Sequence, residues 1–177
     1  MINRSFFYKQ IKKTLFANKV TLKQVTGLNA MLDYWEANYA AKDDRWLAYA
    51  LGTAHHETDT TFGPIREYGL GKGKKYPPYY GRGLVQLTWD YNYKSMGQKL
   101  HVDLLDNPDL ALKLENAVPI IFIGMTEGTF TGKSFKDYFN GAKDDWVNAR
   151  AIINGSDKKY LVADYAHDYY AAISYTT

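Results

Sequence analysis

The sequence contains no cysteine. That excludes a disulfide framework and thiolate zinc sites, and it suits a fold made in a reducing cytoplasm. Long apolar runs are also missing. No stretch approaches the roughly 20 apolar residues of a membrane span, and the run from Ala117 to Met125 reads as a buried helix. The opening Met1-Ile2-Asn3-Arg4-Ser5-Phe6-Phe7-Tyr8-Lys9-Gln10 has no apolar core followed by a small-residue cleavage site, so no secretory leader is expected there. A strong excess of one charge is absent too. The formal net charge of +3 favours an anionic surface such as a bacterial envelope. Nucleic acid would call for a clustered basic stripe, and none is read here. With no internal repeat, low-complexity tract or linker, residues 1–177 read as a single catalytic-sized domain.

What the chain has in excess is tyrosine, with 16 copies. Tyrosine packs with its ring and keeps a hydroxyl for polar partners, so most copies are expected at core edges. A few could face a saccharide, whose rings have apolar faces and polar rims.

Hydrophobic spacing predicts a mostly helical α+β domain. Phe7, Ile11 and Leu15 recur every four residues. Thr21-Leu22-Lys23-Gln24 is a capping-box pattern ahead of Val25, Leu28, Leu32 and Trp35 on one face. Asp43 or Asp44 opens a third helix, with Leu47, Ala50, Leu51 and Ala54 buried, that runs into His55-His56-Glu57. From Thr58 to Tyr80, glycine and proline break the periodicity. Leu84 to Trp89 alternates and predicts a strand of a small sheet or hairpin, with Leu84, Gln86 and Thr88 on one side. Helix returns over Asp90 to Leu100, starts again at Asn107-Pro108, and is kinked or restarted at Pro119. Gly128 to Gly132 is loop. Asp144 or Asp145 opens a helix closing at Asn154-Gly155, and Asp157 caps a last helix with Leu161, Tyr165, Tyr169 and Ala172.

Two carboxylates carry the candidate chemistry. Glu57 ends a helix whose preceding turns offer Ala50 and Ala54 on the same face. Small apolar neighbours desolvate a carboxyl and favour its protonated form, as a general acid near neutral pH requires. Glu67 follows across a turn-rich segment. A helix carrying one acid, facing a loop carrying another, can place the two across a cleft. Glycoside hydrolysis needs such a pair, one to protonate the leaving oxygen and one to activate water or attack the sugar.

The residues around them have a specific order: His55-His56-Glu57-Thr58, Pro64-Ile65-Arg66-Glu67, Tyr80-Gly81-Arg82-Gly83-Leu84-Val85-Gln86-Leu87-Thr88-Trp89, Tyr91-Asn92-Tyr93 and Ile153-Asn154-Gly155. This series resembles glycoside hydrolase family nineteen, which contains chitinases and many phage and bacterial lysozyme-like endolysins. The resemblance implies a lysozyme-like, two-lobed fold with the small β element beside the cleft. It implies Glu57 as general acid and Glu67 as the base of an inverting displacement. It implies that Thr88 helps hold the attacking water, and that Gln86, Asn92 and Asn154 bind substrate. Tyr80, at the head of the central block, joins them as a substrate-binding residue.

The chain also departs from the family. Leu84-Val85 replaces a frequent Pro-Ile, and Ser156 stands where a second glycine is common. No arginine follows Arg150, so the late substrate-side arginine of plant chitinases has no counterpart. The segment between the glutamates is short. Together with the missing cysteines, these departures favour the compact endolysin branch. Ile2-Asn3-Arg4 with Phe6-Phe7, and the block from Gly124 to Lys133, also look like phage members.

Other motifs are weaker. His55-His56-Glu57 is not a zinc-protease helix, because position 60 is Thr. The two histidines are expected in packing, or orienting Glu57. Gly69-Leu70-Gly71-Lys72-Gly73-Lys74-Lys75 lacks Walker spacing and reads as a basic lip of the cleft. Arg82 is expected to pair with a buried carboxylate. The expectation is thus a phage endolysin hydrolysing the β-1,4 glycan of peptidoglycan, with no metal and no cofactor. It would be a monomer that binds no nucleic acid and does not insert stably in a membrane. It would be made in the host cytoplasm, would act on the wall in the periplasm, and would depend on a holin-like pore to get there. A chitinase and a virion-associated wall-opening protein are the alternatives within this chemistry, and a non-catalytic wall-binding module lies outside it.

Overall fold

The computed structural model describes residues 1–174. Its helices are α1 (Arg4–Thr14), α2 (Leu22–Asn38), α3 (Asp44–Glu57), α4 (Asp90–Leu100), α5 (Leu114–Glu127) and α6 (Lys159–Ile173). Two antiparallel pairs of short strands complete the α+β architecture. β1 (Ile65–Arg66) pairs with β2 (Arg82–Gly83), and β3 (Phe139–Asn140) with β4 (Lys143–Asp144). Three 3-10 turns connect them, at Pro108–Leu112, Phe135–Asp137 and Asn148–Ile152. No helix among the described residues is long and apolar enough to cross a membrane.

The core is organised around α3. Every residue from Leu47 to His55 is buried, on all sides of the helix. A helix that is buried all round must be enclosed by others, and α6 covers it most extensively. The backbones meet at Gly52. A β-carbon there would stand 2.9 Å from the Ala166 amide nitrogen, so only glycine permits this approach. Asp43 caps the helix by accepting the Arg45 N–H, and the Arg45 guanidinium closes on the same carboxylate. At the other end, the Thr58 hydroxyl donates to the Ala54 carbonyl at 2.7 Å and accepts the Phe62 N–H at 3.0 Å. These bonds tie the segment up to Phe62 back onto the last turn of the helix and fix how the chain leaves it after Glu57. The last residue of α3 is therefore placed by a helix buried on all sides.

The predicted helix starts agree well at Thr21, whose full capping box is present, at Asp43 and at Asp90. Three expectations are corrected. Leu84 to Thr88 is not an alternating strand. β2 ends at Gly83, Gln86 takes φ +55°, and Leu84, Val85 and Leu87 are all buried. The positive φ ends the period-two pattern by turning the chain, and a bridge between Arg82 and Leu87 closes that turn. The helix expected from Asp144 or Asp145 is instead the end of a hairpin followed by a 3-10 turn, because Gly141 at φ +48° folds β3 back on β4. The last helix is entered through Lys158 at φ +56°, not through an Asp157 side chain. Pro119 lies inside α5, which already begins at Leu114.

His55 ties α3 to α6. Its Nδ1 stands 2.9 Å from the Tyr169 hydroxyl, and its ring lies 4.2 Å from that of Tyr165. Burial, with His56 adding a smaller effect, depresses its pKa from 6.5 to about 4. The folded protein then binds fewer protons than the unfolded chain between those values. Stability is expected to be fully present above about pH 6.5 and to decline as the pH falls towards 4, by about 3 kcal/mol from this residue. Urea denaturation of wild type and His55→Gln across that window tests this, since equal acid slopes would exclude His55 as the cause.

Candidate active site

Glu57 and Glu67 line one cleft of about 460 Å³, with Tyr76, Gly81, Val85, Gln86, Leu87, Thr88, Trp89, Tyr91, Asn92, Phe130, Ile153 and Asn154. A second depression of about 420 Å³ shares Glu57, Glu67 and Gln86 and continues past His56, Asp59, Arg66 and Tyr68. The two glutamates thus stand where two arms of one groove meet. The sequence-predicted residues Gln86, Thr88, Asn92 and Asn154 are brought together with them.

Each side chain has a local reason for its place. Glu67 follows β1, and its backbone N–H donates to the Gly81 carbonyl at 2.7 Å. Its carboxylate accepts from the Tyr76 hydroxyl at 2.7 Å and from the Gly81 N–H at 2.9 Å. Gln86 Nε2 donates to the Ile65 carbonyl at 3.2 Å, which pins the central turn to β1. The Thr88 hydroxyl donates to the Gln86 carbonyl at 2.7 Å. Its oxygen keeps lone pairs that can accept from a water. Asn92 Nδ2 donates to the Thr88 carbonyl at 2.9 Å, which leaves its amide oxygen for a ligand.

Tyr80 is a correction. It does not line the cleft. The Arg82 guanidinium lies 3.7 Å from its ring centroid, and its carbonyl accepts from the Tyr93 hydroxyl. Arg82 pairs with a carboxylate as expected, but the buried partner is the arginine itself, while Asp109 is largely exposed and is shared with Arg66, both at 2.7 Å. Arg66 and then Arg82 hold the Asp109 carboxyl below its usual range. This network fastens β1 and β2 to the 3-10 turn at Pro108 and so braces the wall beneath Glu67.

The neighbour of Glu57 is a second correction. The apolar surround expected from Ala50 and Ala54 omits Arg150, whose Nη1 lies 2.7 Å from Glu57 Oε1. Arg150 is 1% exposed and arrives from the 3-10 turn at Asn148, with its Nε donating to the Asp157 carbonyl at 2.8 Å. The contact is an ion pair without hydrogen-bond alignment, since neither facing atom has an aligned partner among the described residues. Tyr49, Thr53 and Glu57 recur at helical spacing, so a polar stripe of α3 faces inward here. The Tyr49 and Thr53 hydroxyls are likewise buried without a hydrogen-bond partner among the described residues. Arg150 had no signal in local sequence, because it is far from Glu57 in the chain and sits in an element read as ordinary helix.

Sequence reasoning also missed an aromatic wall. Trp89 is 38% and Tyr91 58% exposed, with their rings stacked at 6.1 Å and 17°. Tyr76 meets Trp89 edge-on at 5.3 Å. Two adjacent exposed aromatics in a polar surround were the available signal. Among the described residues, no group of three or more His, Asp or Glu could hold a metal ion.

A family profile described as Chitinase class I matches residues 37–127, just over half of the chain. This chain therefore belongs to glycoside hydrolase family 19. The match contains Glu57, Glu67, Gln86, Thr88 and Asn92, but not Arg150 or Asn154. Endochitinase A2 of Pisum sativum is 50% identical over 44 residues, 25% of this chain and 13% of that protein. Inactive chitinase-like protein 1 of Hevea brasiliensis is 46% identical over 66 residues, 35% of this chain and 20% of that protein. The chain thus matches a fifth or less of these relatives' length. A bacterial family 19 chitinase superposes with a TM-score of 0.68 at 22% identity, over 99% of this chain and 96% of that one. Chitinase C from Streptomyces griseus HUT6037 does so with 0.64 at 22%, over 99% and 94%. At that identity the likeness is one of fold. A relative described as inactive shows that membership alone does not confer catalysis, so the argument for activity rests on the site.

Proposed function

We propose that this chain is an inverting glycoside hydrolase that cuts the β-1,4 bond between N-acetylmuramic acid and N-acetylglucosamine in peptidoglycan, and that it acts as a phage endolysin. The catalytic part rests on two glutamates in one groove that continues to both sides of them, as cleavage within a strand requires. Glu57 in its protonated form gives that proton to the leaving oxygen as the C1–O bond breaks, and the ion pair with Arg150 belongs to the carboxylate left behind. Glu67 takes a proton from the water whose oxygen bonds to C1, and Thr88 offers that water a second acceptor. The Trp89 and Tyr91 rings present an apolar wall to a sugar face.

What favours peptidoglycan is the basic loop between Tyr68 and Tyr76, two residues that line the groove. Gly69, Gly71 and Gly73, all at positive φ, build successive turns that expose Lys72, Lys74 and Lys75. None of these lysines has an acidic partner among the described residues. Chitin is neutral, whereas peptidoglycan carries carboxylates on its peptide stems. Purified sacculi and a chitin oligomer, digested side by side and read by mass spectrometry, test the substrate. Muramic-acid-ended fragments are expected. New peptide termini with intact glycan, or fast chitin cleavage with untouched sacculi, would refute it. The chitinase reading is favoured by the names of the relatives and is the direct alternative.

On this reading the protein works as a monomer without cofactor, is made in the host cytoplasm, and reaches the periplasmic wall through a holin-like lesion. Expression alone in a Gram-negative host should leave cells intact until the membrane is permeabilised. Activity should survive exhaustive chelation, and a loss restored by zinc or calcium would contradict the two-carboxylate chemistry. Trp89→Ala should raise KM roughly 5- to 30-fold, the equivalent of about 1–2 kcal/mol of stacking, with kcat little changed.

A further inference from the structure

We propose that Tyr76 is a positioning residue for Glu67, orienting the carboxylate that takes the proton from water. The inference rests on the reading of Glu67 as the base. A carboxylate that ends in two equivalent oxygens rotates easily about its last bond unless both are held. Here both are held by separate donors, Oε1 by the Tyr76 hydroxyl at 2.7 Å and Oε2 by the Gly81 N–H at 2.9 Å. Each oxygen keeps a further lone pair, and the carboxylate plane is fixed relative to the groove. Gly81 supplies backbone and is itself constrained, since a β-carbon there would meet Gln86 Oε1 at 2.8 Å. Tyr76 is the donor whose position depends on the glycine-rich loop.

The ring of Tyr76 is held on two sides. A β-carbon on Gly71 would fall 2.9 Å from its Cε2, so the loop backbone packs close against it. Trp89 meets it edge-on across the groove wall. Desolvation and the carboxylate partner push the Tyr76 hydroxyl up to about 12, so it remains a donor at any pH at which the protein would work. The loop that carries the basic lip therefore also sets the base, and the base is in register only when the loop is folded.

The test is Tyr76→Phe, which keeps the ring and deletes the hydroxyl. On an oligomer of the glycan that wild type cleaves, kcat should fall about 10- to 100-fold, the range for losing a hydrogen bond to a charged group. KM should stay within about twofold. Tyr76→Leu should add a rise in KM through the lost ring. In a Glu67→Gln background, Tyr76→Phe should change little, since the partner it orients is already disabled. Wild-type kcat would overturn the proposal, and so would a rise in KM alone, which is the mark of a mere sugar-contacting ring. If Glu67→Gln itself stays active, the base assignment falls and the proposal with it. If Glu67→Gln is dead and Tyr76→Phe behaves as wild type, only the positioning role falls.

Discussion

Glu57→Gln is expected to slow glycan cleavage by about three orders of magnitude while the folded protein still binds the strand. Glutamine keeps the volume and an oxygen towards Arg150, but it has no acidic proton for the leaving group. The residue ends α3, which is enclosed along its length, so the change should disturb the surrounding backbone little. Glu67→Gln should be comparably damaging for a different reason. An amide cannot take a proton from the water. Its oxygen can still accept from the Gly81 N–H while its NH2 donates to the Tyr76 hydroxyl, so the side chain stays placed and only the base is lost. Thr88→Ala should be milder, since Glu67 would still polarise the water. Initial-rate assays with circular dichroism on each variant measure these effects, and a Glu57→Gln protein retaining a tenth of the wild-type rate would remove it as the acid. The anomer released first, read by NMR, decides the route. An α product from the β-linked strand is expected, and a β product would make Glu67 a nucleophile.

Arg150→Met is expected to destabilise the protein by about 3–5 kcal/mol, the cost of leaving one buried ion without its partner. For a domain of this size that is a fall in Tm on the order of 10 °C. Glu57 is only 14% exposed at its side chain and Arg150 1%, so water cannot readily replace the lost charge. The same change removes the hydrogen bond to the Asp157 carbonyl, which ties the 3-10 turn to the start of α6. The double variant Arg150→Met with Glu57→Gln should recover a substantial part of the loss, because no carboxylate is then stranded. Calorimetry on the three variants checks this. Equal losses in the single and double variants would mean that Arg150 acts by packing and its bond to Asp157, not through Glu57.

Arg150 also marks where reading the chain stops being sufficient. Short-range chemistry was legible: the Thr21 capping box, the Asp43 cap, the apolar spacing that buries α3, and the ordered motif series that brought Glu57, Glu67, Gln86, Thr88, Asn92 and Asn154 into one site. Those features depend on neighbours a few residues away, or on a family pattern written in order along the chain. The strand assigned to Leu84 through Trp89 failed because periodicity does not report a residue such as Gln86 taking a positive φ. Tyr80 and Tyr76 show the limit most directly. Both are tyrosines beside the same turn, and composition treats them alike. One has its ring under the Arg82 guanidinium, and the other places its hydroxyl on Glu67. The sequence by itself determined most of the helices, the caps at Thr21 and Asp43, and the two candidate acids. Only the tertiary structure decided which side chains face those acids, because Arg150 and Tyr76 reach them through the packing of a 3-10 turn and a glycine loop, and no spacing in the chain encodes that approach.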